Sequence, residues 1–186
     1  HRGVEINANN VVVVPGGKVT MFFAALMFGE VGAEILYPNP GFPIYKSAIE
    51  FSGATAVPIP LYEDTGFSFS AEEVLSKITP RTRLIMLNSP ANPTGGVTPK
   101  VEFDRLVEGL EGHPDVAIMS DEIYSRLLYD GQEHVSLLSY PSIRERLILL
   151  DGWSKTYAMT GWRSGYGVWP GQLSEPATRL AVCVWS

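Results

Sequence analysis

The chain has 186 residues, 45% of them hydrophobic, a formal net charge of -6 and one cysteine, Cys183. It therefore has enough apolar material for a single buried core, but no clustered Lys and Arg of the kind a nucleic-acid surface needs. The lone cysteine excludes an internal disulfide framework and is what a reducing compartment, the cytoplasm by default, would lead one to expect. Short apolar runs bounded by Gly, Pro and Asn read as strands at residues 11–14, 34–37, 56–60, 84–87, 116–119, 147–150 and 165–169. Helical stretches fall between them at 18–28, 43–51, 71–77 and 99–110, with a last one from 173 onward. That alternation predicts an α/β fold of three layers, a mostly parallel sheet with helices on both faces. No linker or internal repeat divides it, so one domain spanning 1–186 is expected.

No apolar run is long enough to cross a bilayer, so no membrane partner is expected. The opening "HRGVEINANN" has no signal-like core and no initiator Met, while the closing "TRLAVCVWS" stops inside an apolar run. A domain truncated at both ends is the expectation from these two features.

In an α/β sheet, ligands sit beyond the carboxyl ends of the strands, which is where polar residues carry chemistry. Gly16, Gly17 and Lys18 follow the first strand and open a helix, where backbone N–H groups and the helix terminus suit an anion. A tight strand-to-helix turn explains the same glycines, and a Walker loop is excluded because its first glycine would fall on Val12. The loop "NSPANPTGG" at 88–96 brings Asn92 to a strand end, although an ordinary structural loop would have the same composition. In "VAIMSDEIY" a buried strand delivers Asp121, with Tyr124 three residues on; an acid so placed needs a partner or serves as a helix N-cap. Finally "DGWSKTYAMTGWRSGY" holds two cations, Lys155 and Arg163, with only Asp151 at its edge. An anionic or electrophilic partner would account for them.

Together "SDEIY", "NPTGG" and "SKTYAMTGWRSGY", in this order, resemble the large domain of class I and II aminotransferases, the fold type I enzymes that use pyridoxal 5'-phosphate. The resemblance runs from about Val11 to about Trp169. It implies that Lys155 forms the Schiff base with the cofactor aldehyde and that Arg163 pairs with the cofactor phosphate. A lysine in a cationic, partly desolvated pocket gives up its proton more readily, which suits that role. It implies further that Asp121 hydrogen-bonds the protonated pyridine nitrogen and that Asn92 and Tyr124 bind the ring's phenolic oxygen. Asn92 would also contact the substrate carboxylate, Phe42 would stack on the ring, and Gly16, Gly17 and Lys18 would cradle the phosphate. The same likeness suggests cis bonds at Asn39–Pro40 and Asn92–Pro93. No metal ligand set is assigned.

The expected activity is transfer of an amino group from an amino acid to a 2-oxo acid, by a homodimer in the full-length parent. Two departures qualify the match. Many members carry a phosphate-binding hydroxyl three residues before the lysine, where this chain has Gly152, and Ser154 is the candidate to replace it. No residue can be assigned as the substrate-carboxylate arginine, which the family takes from a small carboxy-terminal domain absent here; the fragment alone is accordingly expected to be inactive. A lyase of the same fold, of the C–S lyase or aminocyclopropane-carboxylate synthase type, would use the same lysine, aspartate and arginine. A non-catalytic remnant that holds cofactor is the other alternative.

Overall fold

The computed structural model describes residues 2–185. Seven strands, β1 (Val11–Val14), β2 (Glu34–Asn39), β3 (Thr55–Pro60), β4 (Thr82–Asn88), β5 (Ala117–Asp121), β6 (Leu147–Gly152) and β7 (Gly165–Val168), make one sheet in the order β1-β7-β6-β5-β4-β2-β3. Strands β2 to β6 pair in parallel, and β7 runs antiparallel to both of its neighbours. Central β5 and β6 are buried at every position, which is why they read as continuous apolar runs rather than alternating ones. Edge strand β1 alternates instead, with Val12 and Val14 inward and Val13 exposed.

Helices α1 (Lys18–Phe28), α2 (Ile44–Phe51) and α5 (Gly171–Trp185) cover one face; α3 (Ala71–Ser76) and α4 (Lys100–Gly109) cover the other. Alternate residues of the central strands supply the two cores. Leu84, Met86, Met119, Ile148 and Leu150 pack with α1 residues such as Met21 and Phe23, whereas Ile85, Leu87, Ile118 and Leu149 pack with Val74 and Leu106. Start signals are local: the Ser70 hydroxyl accepts from the Glu73 N–H at the head of α3, and the Ala71 N–H donates to Glu102 of α4. Ser186, the last residue of the closing apolar run, lies outside the described residues. Among the described residues no helix is long and apolar enough to cross a membrane.

All seven strands and five helices lie where the sequence puts them, but four strands run further toward their polar ends. β2 continues to Asn39, β4 to Asn88, β5 to Asp121 and β6 to Gly152, because the ladder carries on past the last apolar residue: Asn88 pairs with Asp121, and Asp151 with Tyr166. β7 ends at Val168, one residue before the expected Trp169. Both expected cis bonds, Asn39–Pro40 and Asn92–Pro93, are present, together with a third at Ser89–Pro90.

Leu149 has no exposed surface and stands in the middle of the second core. Leu149→Ala is expected to lower stability by about 2–5 kcal/mol, read from the denaturant midpoint. A loss below about 1 kcal/mol would mean that this face is not close-packed.

Candidate active site

The ends of β1, β4, β5 and β6 meet along one edge of the sheet. Asn88 stands opposite Asp121 and Asp121 opposite Leu150, while Val14 and Gly152 both pair with Gly165. A cavity of about 320 Å³ opens at this edge. All ten residues singled out from the sequence line it: Gly16, Gly17 and Lys18 after β1, Phe42 before α2, Asn92 after β4, Asp121 and Tyr124 from the end of β5, Ser154 and Lys155 after β6, and Arg163 before β7.

Glycines and one strained residue shape the anion end. Gly16 has φ +96°, a conformation that disfavours side chains, and a Cβ there would stand 2.3 Å from Nη2 of Arg163. Arg163 itself is left-handed at φ 51°, held by hydrogen bonds from its guanidinium to the carbonyls of Thr160 (3.0 Å) and Pro15 (3.3 Å). A Cβ at Gly165 would reach within 2.4 Å of the Gly17 nitrogen, so only glycine lets β7 pass beneath the start of α1. The N–H of Lys18, first in that helix, has no intrahelical acceptor. Gly152 is explained by the same crowding. A Cβ there would lie 3.0 Å from Gly165 Cα and from the Ser164 carbonyl, so a side chain would need that backbone to give by a few tenths of an ångström, whereas Ser154 does line the cavity.

Asp121 is buried, and the hydroxyl of Tyr45 donates to its Oδ2 at 2.7 Å. The N–H of Ile123 donates to Oδ1 at 3.2 Å. Burial pushes the Asp121 carboxyl up to about 6; these two hydrogen bonds oppose the rise, while Asp151 and Glu122 add to it. Tyr45 is raised well above its ordinary value, by burial and then by the charge of Asp121, so it stays a proton donor to the carboxylate. Tyr124 is also raised, by burial and by Asp121. The Asn88 side chain ties the loop to this strand, donating to the Asp121 carbonyl (3.0 Å) and accepting from the Asn92 N–H (2.8 Å). Phe42 packs edge-on against Tyr45 with ring centroids 5.9 Å apart, and Lys18 Nζ stands 5.5 Å from the Phe42 centroid.

One expectation fails. Lys155 is exposed rather than partly desolvated, its Nζ lying 6.0 Å from the Tyr124 ring centroid, because no element of the described chain covers that side of the cavity. Two contributors were missed by sequence reasoning. Tyr45 resembles any core aromatic of an amphipathic helix, and Asn88 resembles any strand-end asparagine; their partners lie 76 and 33 residues away.

The sheet and its helices have the fold of the fold type I aminotransferases. The chain belongs to the class I and II aminotransferase family, whose profile matches residues 1–181. It is 39% identical over 182 residues to an arginine–pyruvate transaminase of Pseudomonas aeruginosa, covering 98% of this chain and 46% of that one. It is 35% identical over 178 residues to an aspartate aminotransferase of Pyrococcus abyssi, covering 95% and 46%. The crystal structure of the aspartate aminotransferase from Rhizobium meliloti superposes with a TM-score of 0.95 at 32% identity, covering all of this chain and 46% of that one. The chain thus spans about half the length of the relatives it matches. Members of this family depend on pyridoxal phosphate.

The residues present fit that cofactor. Gly16 and Gly165 leave room at the anion end that a Cβ would fill, and an arginine stands beside it. The buried Asp121 has both oxygens supplied with a donor and still borders the cavity. Gly165→Ala is expected to wedge the start of α1 and weaken pyridoxal phosphate binding at least about tenfold, measured by absorbance titration. Unchanged affinity would show that the phosphate binds elsewhere. A second expectation follows from Asp121. Its carboxyl holds a proton more tightly folded than unfolded, so stability of the cofactor-free protein falls as pH rises from about 4 to about 6. Asp121→Asn removes that loss, so at pH 8 the variant should be more stable than the parent by on the order of 2–3 kcal/mol, with the gap closing near pH 4. Denaturation midpoints across pH check this; a constant gap would contradict it.

Proposed function

We propose that the protein carrying this chain uses pyridoxal phosphate to move an amino group from an amino acid to a 2-oxo acid. The observation that supports this best is the convergence on one cavity of a lysine, a buried carboxylate and an arginine beside a glycine-lined helix start. When bound, the cofactor supplies an aldehyde for exchange of amines and a ring that accepts the electron pair released at the substrate Cα.

This chain's residues then have distinct tasks. Arg163, Ser154 and the first N–H groups of α1 hold the phosphate, where a doubly charged group meets a guanidinium and a helix terminus. Asp121, kept charged by Tyr45, holds a proton on the ring nitrogen. Phe42, which borders the cavity, would pack against the ring. Asn92 and Tyr124 donate to the phenolic oxygen, and Asn92 also reaches the substrate carboxylate. Lys155 would supply the amine that holds the aldehyde and, when free, would carry the proton from the substrate Cα to the former aldehyde carbon.

The relatives reported above are named as transaminases of arginine and of aspartate, and none of these names favours the lyase or the non-catalytic reading. The chain is read as the large domain of a homodimer, with a small domain outside residues 1–186, and the cytoplasmic placement rests on its cysteine usage. Among the described residues Arg163 is the only arginine that lines the cavity, and the cofactor phosphate claims it. A second guanidinium for the substrate carboxylate therefore comes from elsewhere in the protein.

Borohydride reduction of the protein expressed from its full reading frame, followed by peptide mapping, is expected to place the cofactor on Lys155. A label on Lys18 or Lys100 would overturn the assignment. Asp121→Ala is expected to keep most of its cofactor while turnover falls by at least about a hundredfold, since the ring then loses its proton and its capacity to accept electrons. Near-normal turnover would mean that another group holds the ring nitrogen. Residues 1–186 expressed alone, assayed with a panel of amino acids and 2-oxoglutarate, are expected to show no measurable transamination.

A further inference from the structure

Glu122 follows Asp121 directly but does not line the cavity. Its Oε1 accepts from the hydroxyls of Ser120 (3.1 Å) and Ser136 (3.0 Å) and from the Leu137 N–H (3.1 Å). Its Oε2 accepts from Arg2 Nε at 2.8 Å and lies 2.8 Å from His134 Nε2. The same guanidinium continues to β6: Arg2 Nη2 donates to Asp151 Oδ2 at 2.7 Å. Asp151 also accepts from the Tyr166 hydroxyl on β7 (3.1 Å) and from the Gly152 N–H (2.7 Å). Side-chain exposure is 8% for Arg2, 1% for Glu122 and 6% for Asp151, so water screens this bridge little. No task assigned above uses it.

Its location gives it one. Asp121 stands one residue before both bridged acids, next to Glu122 in sequence and opposite Leu150, the residue before Asp151. Three carboxylates are thus buried within two adjacent strand ends, and the cations at hand are Arg2 and, when protonated, His134. A buried ion pair rarely adds stability over an apolar replacement of the same volume, so stability alone is a weak reason for it. Geometry and field are better ones. We infer that Arg2 is a positioning residue for the pocket: it clamps the ends of β5 and β6 and supplies the counter-charge for the two acids behind Asp121. The inference rests on the reading of Asp121 as the partner of the ring nitrogen.

The surroundings are consistent with it. Burial alone would raise the Glu122 carboxyl, yet the His134 hydrogen bond and the charge of Arg2 together hold it below its ordinary value. Asp121 feels both Asp151 and Glu122 as repulsive charges. Without Arg2 that repulsion is uncompensated, and Asp121 takes up a proton at a pH where the ring nitrogen needs its charge. Two other titratable groups facing Asp121, Tyr45 on α2 and Tyr124 after β5, are raised phenols and supply no positive charge, while Lys18, Lys155 and Arg163 border the same cavity but are exposed, so water screens their charges.

The test reads Asp121 itself, in cofactor-free protein from the full reading frame, by carbon-13 NMR of labelled aspartate carboxyls assigned with Asp121→Asn. Arg2→Met is expected to raise the midpoint of Asp121 by about one pH unit, a tenfold gain in proton affinity. Arg2→Lys should restore much of the parent value. Arg2→Met combined with Glu122→Gln should move the midpoint back toward the parent although the bridge remains broken, which a merely structural role would not produce. Asp151→Asn, which conserves volume and removes one repulsive charge, should lower the midpoint, and it decides the matter if Arg2→Met does not fold. An unmoved midpoint in folded Arg2→Met or in Asp151→Asn, or a rise that Glu122→Gln fails to reverse, overturns the inference. Failure of the cofactor reading would appear separately, as absence of pyridoxal phosphate from Lys155 in the parent.

Discussion

Asp121 ends the central strand of the sheet with 7% of its surface exposed, and an ionised carboxylate in such a place is disfavoured unless neighbours compensate it. Much of the surrounding architecture can be understood as that compensation. Tyr45 on α2 donates to one oxygen and the chain's own turn at Ile123 to the other. Asn88, on the neighbouring strand, fixes the backbone of Asp121 and the loop of Asn92 at once. The rise to about 6 still leaves the group largely charged at neutral pH, and a protonated ring nitrogen facing it would stabilise that charge further. Holding this carboxylate charged therefore costs the fold some stability.

At the other end of the cavity the limiting quantity is space. Gly16, Gly17, Gly152 and Gly165 meet where β1, β6 and β7 run side by side beneath the first turn of α1, and a methyl group at most of these positions would collide with backbone or with Arg163. Close approach of backbones leaves the helix start and the Arg163 guanidinium as the surfaces offered to an anion. The same crowding works against a side chain at position 152, where a Cβ would press on the backbone of Ser164 and Gly165. Ser154, two residues on and outside the ladder, faces the cavity instead.

These two ends belong to a scaffold that relatives of different names share. Relatives named for arginine and for aspartate share the domain at 35–39% identity, and the solved aspartate aminotransferase shares its backbone almost throughout. The described lining combines one buried carboxylate with two lysines and one arginine. Lys155 itself stands in an open, exposed setting.

Strands and helices were legible from the sequence because a sheet covered on both faces forces continuous apolar runs, and Gly, Pro and Asn mark where each run stops. The polar ends of β2, β4, β5 and β6 were not, since a ladder hydrogen bond depends on the neighbouring strand and not on hydropathy. Ten cavity residues were legible for a different reason: they lie in short motifs whose order is distinctive, so local sequence carries them. Tyr45, Asn88 and the bridge from Arg2 to Glu122 and Asp151 have no such local signature. Their partners are 76, 33, 120 and 149 residues away, and a hydrogen bond or ion pair at that separation exists only once the chain has folded. The sequence by itself determined which elements form and which short motifs come together at the cavity. Only the tertiary structure decided how the charges among them are balanced, because charge balance depends on distance and burial, and both are properties of the packed chain.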